Sequence, residues 1–182
     1  MKELSLNILD ITENSVKAGA NLIFISITEN DDQLNISIKD NGCGMDKQTV
    51  KSVTDPFYTT RSTRRVGLGI PLFKLSAEQT GGSFAIESKH VDEYAEDHGT
   101  LVSALFNKKH LDFTPLGDIV STLQTLIQGH PDIDFVFLHE KNNGRIEIDT
   151  REIRSVLEDV PLNSYEVIVW IGNELKNQYG AL

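Results

Sequence analysis

The polar residues that could do chemistry lie in four separated segments, and the first is a helix predicted over residues 3–18. Asn7, Asp10, Asn14 and Lys17 are spaced by three, four and three residues, which places them on one side of that helix. Asp10 and Asn14 lie about 40° apart around its axis. A carboxylate, a carboxamide and an ammonium group in one row could accept a proton, hold Mg²⁺ and contact a phosphate. A solvated helix face would show the same pattern.

The second segment, "DNGCGMD", follows an alternating β-branched run that ends at Asp40. A carboxylate at the end of a strand can accept a hydrogen bond from an amino group. Gly42 and Gly44 would let the backbone approach a flat ring closely. A simple glycine turn after a strand is the alternative.

The third segment, "TDPFYTTRSTRRVGLGIPL", ends in glycines that stand directly before a predicted helix. Free N–H groups at a helix N-terminus can face an anion. The loop ahead offers hydroxyl donors and a cation, so the segment is typical of a lid that closes over phosphates, with an exposed loop as the alternative. The residues concerned are Thr59, Thr60, Arg61, Gly67 and Gly69. The patterns GxxxxGK[ST] and GxGxxG are absent from the sequence.

The fourth segment is "HGT", where Gly99 and Thr100 open a predicted strand. A hydroxyl at the start of a strand could bond a ring nitrogen or a bridging water. Alone, this segment predicts no function.

The elements that position these residues follow from hydrophobic periodicity and turn signals, and they predict an α+β fold, a two-layer α/β sandwich. Residues 1–107 are expected to form the first domain. Residues 108–182 could form a small C-terminal α/β subdomain or an extension of the first sheet. Helices are predicted over 3–18, 68–80 and about 116–128, after Asp46, and from about 151 and 164; strands are predicted over 21–28, 33–40, 83–89, 100–106, 134–140 and 145–149. Trp170 is expected in the core or an interface.

Composition excludes several classes of protein. The chain has 182 residues and a net charge of −10, which argues against binding a nucleic-acid backbone over a broad surface. No apolar run approaches the roughly 20 residues that a membrane helix needs, and the N-terminus lacks the basic segment followed by an apolar segment that is typical of a signal peptide. A single cysteine fits a reducing compartment, so we expect a cytoplasmic protein.

Taken in order, these motifs resemble the ATP-binding domain shared by gyrase, Hsp-type chaperones, histidine kinases and MutL proteins, the GHKL superfamily. "DITENSVKAGAN" resembles its N-box, "DNGCGMD" its G1 box, "DPFYTTR" its F-box and "GLGI" its G2 box, and "GT" resembles its closing threonine. The resemblance covers about residues 1–107. It implies a Bergerat-type fold and binding of ATP with Mg²⁺.

The resemblance also implies roles for single residues. Asn14 would help hold Mg²⁺, and Asp40 would receive the adenine amino group. The remaining contacts would be made by Lys17, Thr59, Thr60, Arg61, Gly67, Leu68 and Gly69 at the phosphates, and by Gly42, Gly44 and Thr100 around the adenine.

Two departures from the family pattern bear on function. Asp10 occupies the position of a catalytic glutamate in the gyrase and MutL branch and in anti-sigma kinases, but its side chain is one methylene shorter. Arg65 stands where the first glycine of the G2 box belongs. The motifs also begin almost at Met1, so we expect no dimerising helices and no phosphoacceptor histidine of a histidine kinase.

Two classes of function remain open. The chain could be a signalling kinase that phosphorylates a protein partner on Ser, Thr or His, with Asp10 as the base. It could instead be a non-catalytic module whose nucleotide gates protein binding, or a slow ATPase switch. The sequence does not identify the partner, and a homodimer stays open.

Overall fold

The computed structural model describes residues 3–54, 68–142 and 144–181. The predicted lid residues Thr59, Thr60, Arg61 and Gly67 lie outside the described residues, as does Arg65. The helices and strands, in chain order, are α1 (Leu4–Lys17), β1 (Leu22–Glu29), β2 (Gln33–Asp40), α2 (Lys47–Ser52), α3 (Gly69–Gln79), β3 (Ser83–Lys89), β4 (Gly99–Asn107), α4 (Ile119–Gly129), β5 (Asp134–Lys141), β6 (Gly144–Asp149), α5 (Thr150–Leu157) and α6 (Tyr165–Gly180).

The six strands form one mixed sheet in the spatial order β3-β4-β2-β1-β5-β6. The predicted hairpin of β1 and β2 is antiparallel, with Ile25 opposite Ile38. β5 lies parallel to β1 on its other side, with Phe137 opposite Ile25, and β6 pairs antiparallel with β5. Of the two arrangements left open for residues 108–182, the extension of the first sheet is the one that these strands form.

Strand alternation explains why the fold has two layers. In β1, Ile23, Ile25 and Ile27 are fully buried or nearly so, whereas Phe24 on the opposite face is 38% exposed. The buried face packs against apolar side chains of α1, α3, α4 and α6, such as Phe73 in α3. The α+β two-layer sandwich predicted from the sequence is therefore confirmed.

Most predicted element bounds are correct to within one or two residues, but α4 begins later than predicted. It starts at Ile119 rather than near residue 116 because Asp118 caps it, accepting a hydrogen bond of 2.9 Å from the amide of Ser121. Gly117, directly before the cap, has a φ of +78°, a left-handed conformation that does not continue a helix.

The start of α1 is bonded to the segment that leads into α4. The amides of Leu4 and Ser5 donate to the carbonyls of Pro115 and Leu116 at 2.9 and 2.8 Å. These amides have no acceptor inside the helix, so the segment satisfies donors that would otherwise be unpaired. Backbone hydrogen bonds therefore join the start of α1 to the part of the chain that follows residue 107.

None of the helices formed by the described residues combines the length and the apolar character that crossing a lipid bilayer requires.

A buried polar cluster closes the end of the sheet where β1 and β5 finish. The side chain of His139 is 2% exposed; its Nδ1 lies 2.7 Å from the Tyr179 hydroxyl and its Nε2 lies 3.5 Å from Glu29 Oε1. Burial lowers the pKa of His139, against the attraction of Glu29, and burial also raises the pKa of Tyr179. Lys108 and Lys141 pair with Glu29 at 2.9 and 3.2 Å. The neutral imidazole therefore fixes the C-terminal end of α6 to the sheet.

We expect Tyr179→Phe to lower the free energy of unfolding by about 1 kcal/mol, because a buried imidazole nitrogen loses its hydrogen-bond partner. Chemical denaturation at pH 7.5 would measure it. The matched control is Tyr165→Phe, since Tyr165 is 78% exposed and should change stability by only a few tenths of a kcal/mol. Equal unfolding free energies for the two variants would contradict this role of Tyr179.

Candidate functional site

The predicted polar side of α1 faces the beginning of α3. A Cβ built on Gly69, the first residue of α3, would lie 3.2 Å from Asp10 Cβ and 3.9 Å from Asn14 Nδ2. Leu68, the N-cap residue, makes no capping hydrogen bond with its side chain. The start of α3 therefore lies next to the Asp10 and Asn14 side chains, an arrangement that suits a bound phosphate and cation.

The electrostatic surroundings of Asp10 differ from those of an ordinary surface aspartate. Partial burial raises the pKa of the Asp10 carboxyl, Lys17 opposes that shift, and Glu13 adds to it. A carboxylate whose pKa is raised holds a transferred proton more readily, which suits a general base. Lys17 itself is exposed on α1.

Asn7 does not belong to the exposed stripe that the spacing predicted. It is 1% exposed, and within the described residues neither its amide nitrogen nor its amide oxygen has a hydrogen-bond partner. Asn7 lies next to the buried Ile8 and Leu4 on the helix, so the polar row at the surface begins only at Asp10.

Asp40 lies at the centre of a dense set of hydrogen bonds. It is 6% exposed; its Oδ1 accepts from the amides of Gly42 at 2.9 Å and Thr100 at 3.2 Å, and its Oδ2 accepts from the Ser15 hydroxyl at 2.7 Å. An ionised carboxylate has about four acceptor positions. Three are used, so one position on Oδ2 is left to accept a hydrogen bond from a ligand.

Two hydroxyl residues near Asp40 were not predicted from the sequence. Ser15 was predicted only to lie in the helix over residues 3–18, and Ser88 only in the strand over residues 83–89. The Ser88 hydroxyl lies 2.8 Å from Thr100 Oγ1 and accepts from the Met45 amide at 2.7 Å. The Thr100 hydroxyl therefore has a partner within the protein. The signal that could have identified Ser88 is its register position opposite Thr100, which requires the strand pairing to be known.

The predicted glycines of the G1 segment have different surroundings. A Cβ on Gly42 would lie 2.9 Å from Ala18 Cβ and 3.1 Å from Asp40 Oδ1, so this turn packs tightly on the end of α1. Gly44 has a φ of +68°, and a Cβ there would lie 2.0 Å from the Lys89 carbonyl. Gly44 is thus required where the turn meets the end of β3.

A histidine borders the same turn. His98 Nδ1 lies 2.6 Å from the carbonyl oxygen of Gly42, and because a carbonyl only accepts, Nδ1 carries the proton. This bond joins the loop between β3 and β4 to the turn after β2, so both sides of the space beside Asp40 are held by the protein.

One turn of α1 joins the two parts of the site. Asn14 approaches Gly69, and the next residue, Ser15, bonds Asp40. A flat group held at Asp40 and an anionic group at the start of α3 could therefore belong to one ligand. Within the described residues, no cluster of three or more His, Cys, Asp or Glu side chains could hold a metal ion by itself.

The fold and the site define a nucleotide-binding α/β sandwich. The sequence model of the family described as histidine kinase-, DNA gyrase B- and HSP90-like ATPases matches residues 2–110, more than half of the chain. The chain belongs to this family and carries its ATP-binding domain, which confirms the resemblance read from the motif order.

Curated relatives match the same part of the chain. A signal transduction histidine-protein kinase of Escherichia coli, AtoS, is 38% identical over 72 residues, 40% of this chain and 12% of that protein. Sporulation kinase E of Bacillus subtilis is 36% identical over 90 residues, 49% of this chain and 12% of that protein. A putative sensor protein of Shewanella frigidimarina is 32% identical over 89 residues, 48% of this chain and 14% of that protein. The chain thus matches only a small part of each of these relatives.

Solved structures resemble the chain beyond the family domain. The MutL ATPase domain of Aquifex aeolicus complexed with ADP has a TM-score of 0.56 at 16% identity and covers 87% of this chain and 70% of its own. The N-terminal domain of a DNA repair protein has a TM-score of 0.54 at 15% identity and covers 82% of this chain and 52% of its own. At these identities the likeness concerns the fold alone.

We expect Asp40→Asn to weaken adenine nucleotide binding by about 10- to 100-fold, because an amide N–H₂ would face the adenine amino group where a carboxylate oxygen accepted. Asparagine keeps the shape and the oxygen that bonds Gly42 and Thr100. Calorimetric titration with ATP and ADP would measure the affinity, and thermal unfolding would check the fold.

The control for this variant is Asp31→Asn, the same chemical change in the exposed turn at the far end of the β1–β2 hairpin. It should leave affinity unchanged. Wild-type affinity in a folded Asp40→Asn protein would reject Asp40 as the adenine acceptor.

Proposed function

We propose that the chain is an ATP-dependent protein kinase that transfers the γ-phosphoryl group to a hydroxyl or imidazole of a protein partner. The observation that carries this proposal is the position of Asp10. Asp10 lies one helical turn before Asn14, its Cβ lies beside the first residue of α3, and burial raises the pKa of its carboxyl. The similarity to histidine kinases over the ATP-binding domain supports the same reaction type.

The nucleotide would lie across α1. Asp40 would accept from the adenine amino group with its remaining lone pair, and the amides at the start of α3, with Leu68 and Gly69, would contact the phosphates. Lys17 would add a positive charge. Thr59, Thr60, Arg61 and Gly67, which belong to the segment outside the described residues, are proposed to complete this contact.

The donors at the phosphate end fit Mg²⁺, which usually takes one or two protein oxygens together with nucleotide phosphates and keeps several waters. Asn14, exposed beside Gly69, would supply a carboxamide oxygen. The ion would neutralise charge on the phosphates.

Asp10 would act on the attacking group. A new bond forms between the partner's oxygen or nitrogen and the γ-phosphorus, and the bond to the bridging oxygen breaks to release ADP. The proton of the attacking group passes to the Asp10 carboxylate. Because that carboxylate must be ionised, the rate should fall as the pH drops through the raised pKa of Asp10.

We expect Asp10→Asn to lower phosphoprotein formation and ADP release by about 10²-fold or more, the usual contribution of a general base. Nucleotide affinity should stay near that of the wild type. Stability at pH 7 should not fall, because the fold penalises the charged form of Asp10 and asparagine removes that charge. The assay uses γ-labelled ATP with the proteins encoded by the flanking genes, alongside thermal unfolding.

The matched control is Glu13→Gln. Glu13 is a carboxylate of the same helix, but it accepts from His130 Nε2 at 2.7 Å instead of facing α3. The Glu13→Gln protein should therefore form phosphoprotein and release ADP at the wild-type rate. If both variants, or neither, lost label transfer and ADP release, the role of Asp10 would be rejected.

A second function, a nucleotide-gated protein-binding module, is favoured by the bonds between α1 and residues 108–182. The amides at the start of α1 and the Glu13 carboxylate hold that part of the chain, so a shift of α1 on binding nucleotide would reach it directly. Such a module would bind its partner without transferring phosphate.

Partner affinity measured with ATP, with ADP and without nucleotide distinguishes the two functions. We expect the gated module to show at least about a fivefold difference between states, the lower end of typical coupling, and Asp10→Asn to preserve it. Equal affinity in all three states would reject gating. We also propose that the protein works in the cytoplasm, where ATP is supplied, and has no direct contact with nucleic acid.

A further inference from the structure

A long groove runs along edge strand β6 between α5 and α6, distant from the nucleotide residues in the sheet order. Its volume is about 1070 Å³. Pockets for small ligands range from roughly 300 to 1,000 Å³. The groove is therefore large enough for a segment of another protein.

Apolar side chains line this groove and remain accessible to solvent. Trp170 of α6 is 52% exposed and Val156 of α5 is 80% exposed, while Val136 and Leu138 contribute from β5. Trp170 was predicted to lie in the core or an interface, and its exposure excludes the core. An accessible tryptophan in an apolar groove is typical of a contact site.

The charges around the groove do not balance. The arginines of this region pair with acidic neighbours: Arg145 with Glu147, Arg151 with Asp149, and Arg154 with Asp134 at 3.0 Å. Within the described residues, no ion pair involves the lining side chains Glu152, Glu166 and Glu174. The groove therefore has uncompensated negative charge beside its apolar surface.

The spacing on α6 gives this charge a pattern. Glu166, Trp170 and Glu174 recur every four residues, so two carboxylates flank the indole along one side of the helix, about 12 Å apart. A partner helix with an apolar residue between two cations spaced seven or eight residues apart would match it.

An extended peptide fits this groove poorly. β6 is an edge strand, but the amide of Glu147 on its outer side already donates to Gln178 Oε1 at 2.8 Å. A strand added to that edge would have to displace the Gln178 side chain from this bond. A helix needs no backbone hydrogen bonds from its partner and so is compatible with the occupied edge.

We propose that the groove binds an amphipathic helix of a partner protein, one whose apolar face is bordered by lysine or arginine. The apolar residues would cover Trp170 and Val156, and the cations would pair with Glu166 and Glu174. This inference does not depend on the proposed phosphoryl transfer.

The probe is a synthetic amphipathic peptide of about 18 residues, roughly five helical turns, with leucine on one face and lysine on the other. Trp170 is the only tryptophan of the chain, so its emission reports the groove. We expect a saturable blue shift with one peptide per chain. A peptide of the same composition, scrambled so that no apolar face forms, should bind at least about tenfold more weakly.

The charge contacts are tested with a double variant that combines Glu166→Gln with Glu174→Gln. This variant should bind the amphipathic peptide about tenfold more weakly, and its binding should depend less on salt. The matched control combines Glu87→Gln with Glu93→Gln, two exposed glutamates in and after β3 at the opposite edge of the sheet. It changes net charge equally and should leave affinity unchanged.

Three results would overturn the proposal. The first is absence of binding, or equal binding of the scrambled peptide. The second is an equal loss of peptide affinity in the two double variants, which would indicate that the peptide is attracted to the net charge of the protein and not to the groove. The third is a dimer in sedimentation that Trp170→Ala converts to a monomer, which would make a second copy the occupant.

Discussion

The hydrogen bond from the Ser15 hydroxyl to Asp40 is the constraint on which the candidate site depends. It joins the last turn of α1 to the end of β2 at 2.7 Å, in surroundings where Asp40 is almost fully buried. A buried polar group is costly unless its hydrogen bonds are made, so Ser15 and the two backbone amides on Oδ1 hold the Asp40 side chain in place. The same contact determines where Asp10 and Asn14 lie relative to the sheet.

Because α1 is fixed at this point, it links three parts of the molecule. Its polar side borders the start of α3, its apolar side enters the core, and its first amides and Glu13 hold the segment around α4. A ligand that moved α1 would therefore act on all three at once, since close-packed elements transmit displacement rather than absorb it. This coupling makes both proposed functions physically reasonable uses of the same fold.

The sequence predicted much of this arrangement because its signals were local. Alternation fixed β1 and β2, Asp46 marked α2, and the motif order indicated the site. Long-range facts could not be predicted in the same way. The burial of Asn7, the partnership of Ser88 with Thr100 and the parallel pairing of β5 with β1 all depend on which elements meet in space. Spacing within one helix or strand contains no information about that.

The parallel pairing of β5 with β1 has a consequence for where the domain ends. The family match stops at residue 110, yet β1 has β2 on one side and β5 on the other. A fragment cut at the family boundary would leave the isoleucine-rich β1 with an unpaired backbone edge, and it would lack core residues such as Leu123 and Phe137. The segment defined by sequence similarity is therefore smaller than the sheet, which continues through β5 and β6 beyond residue 110.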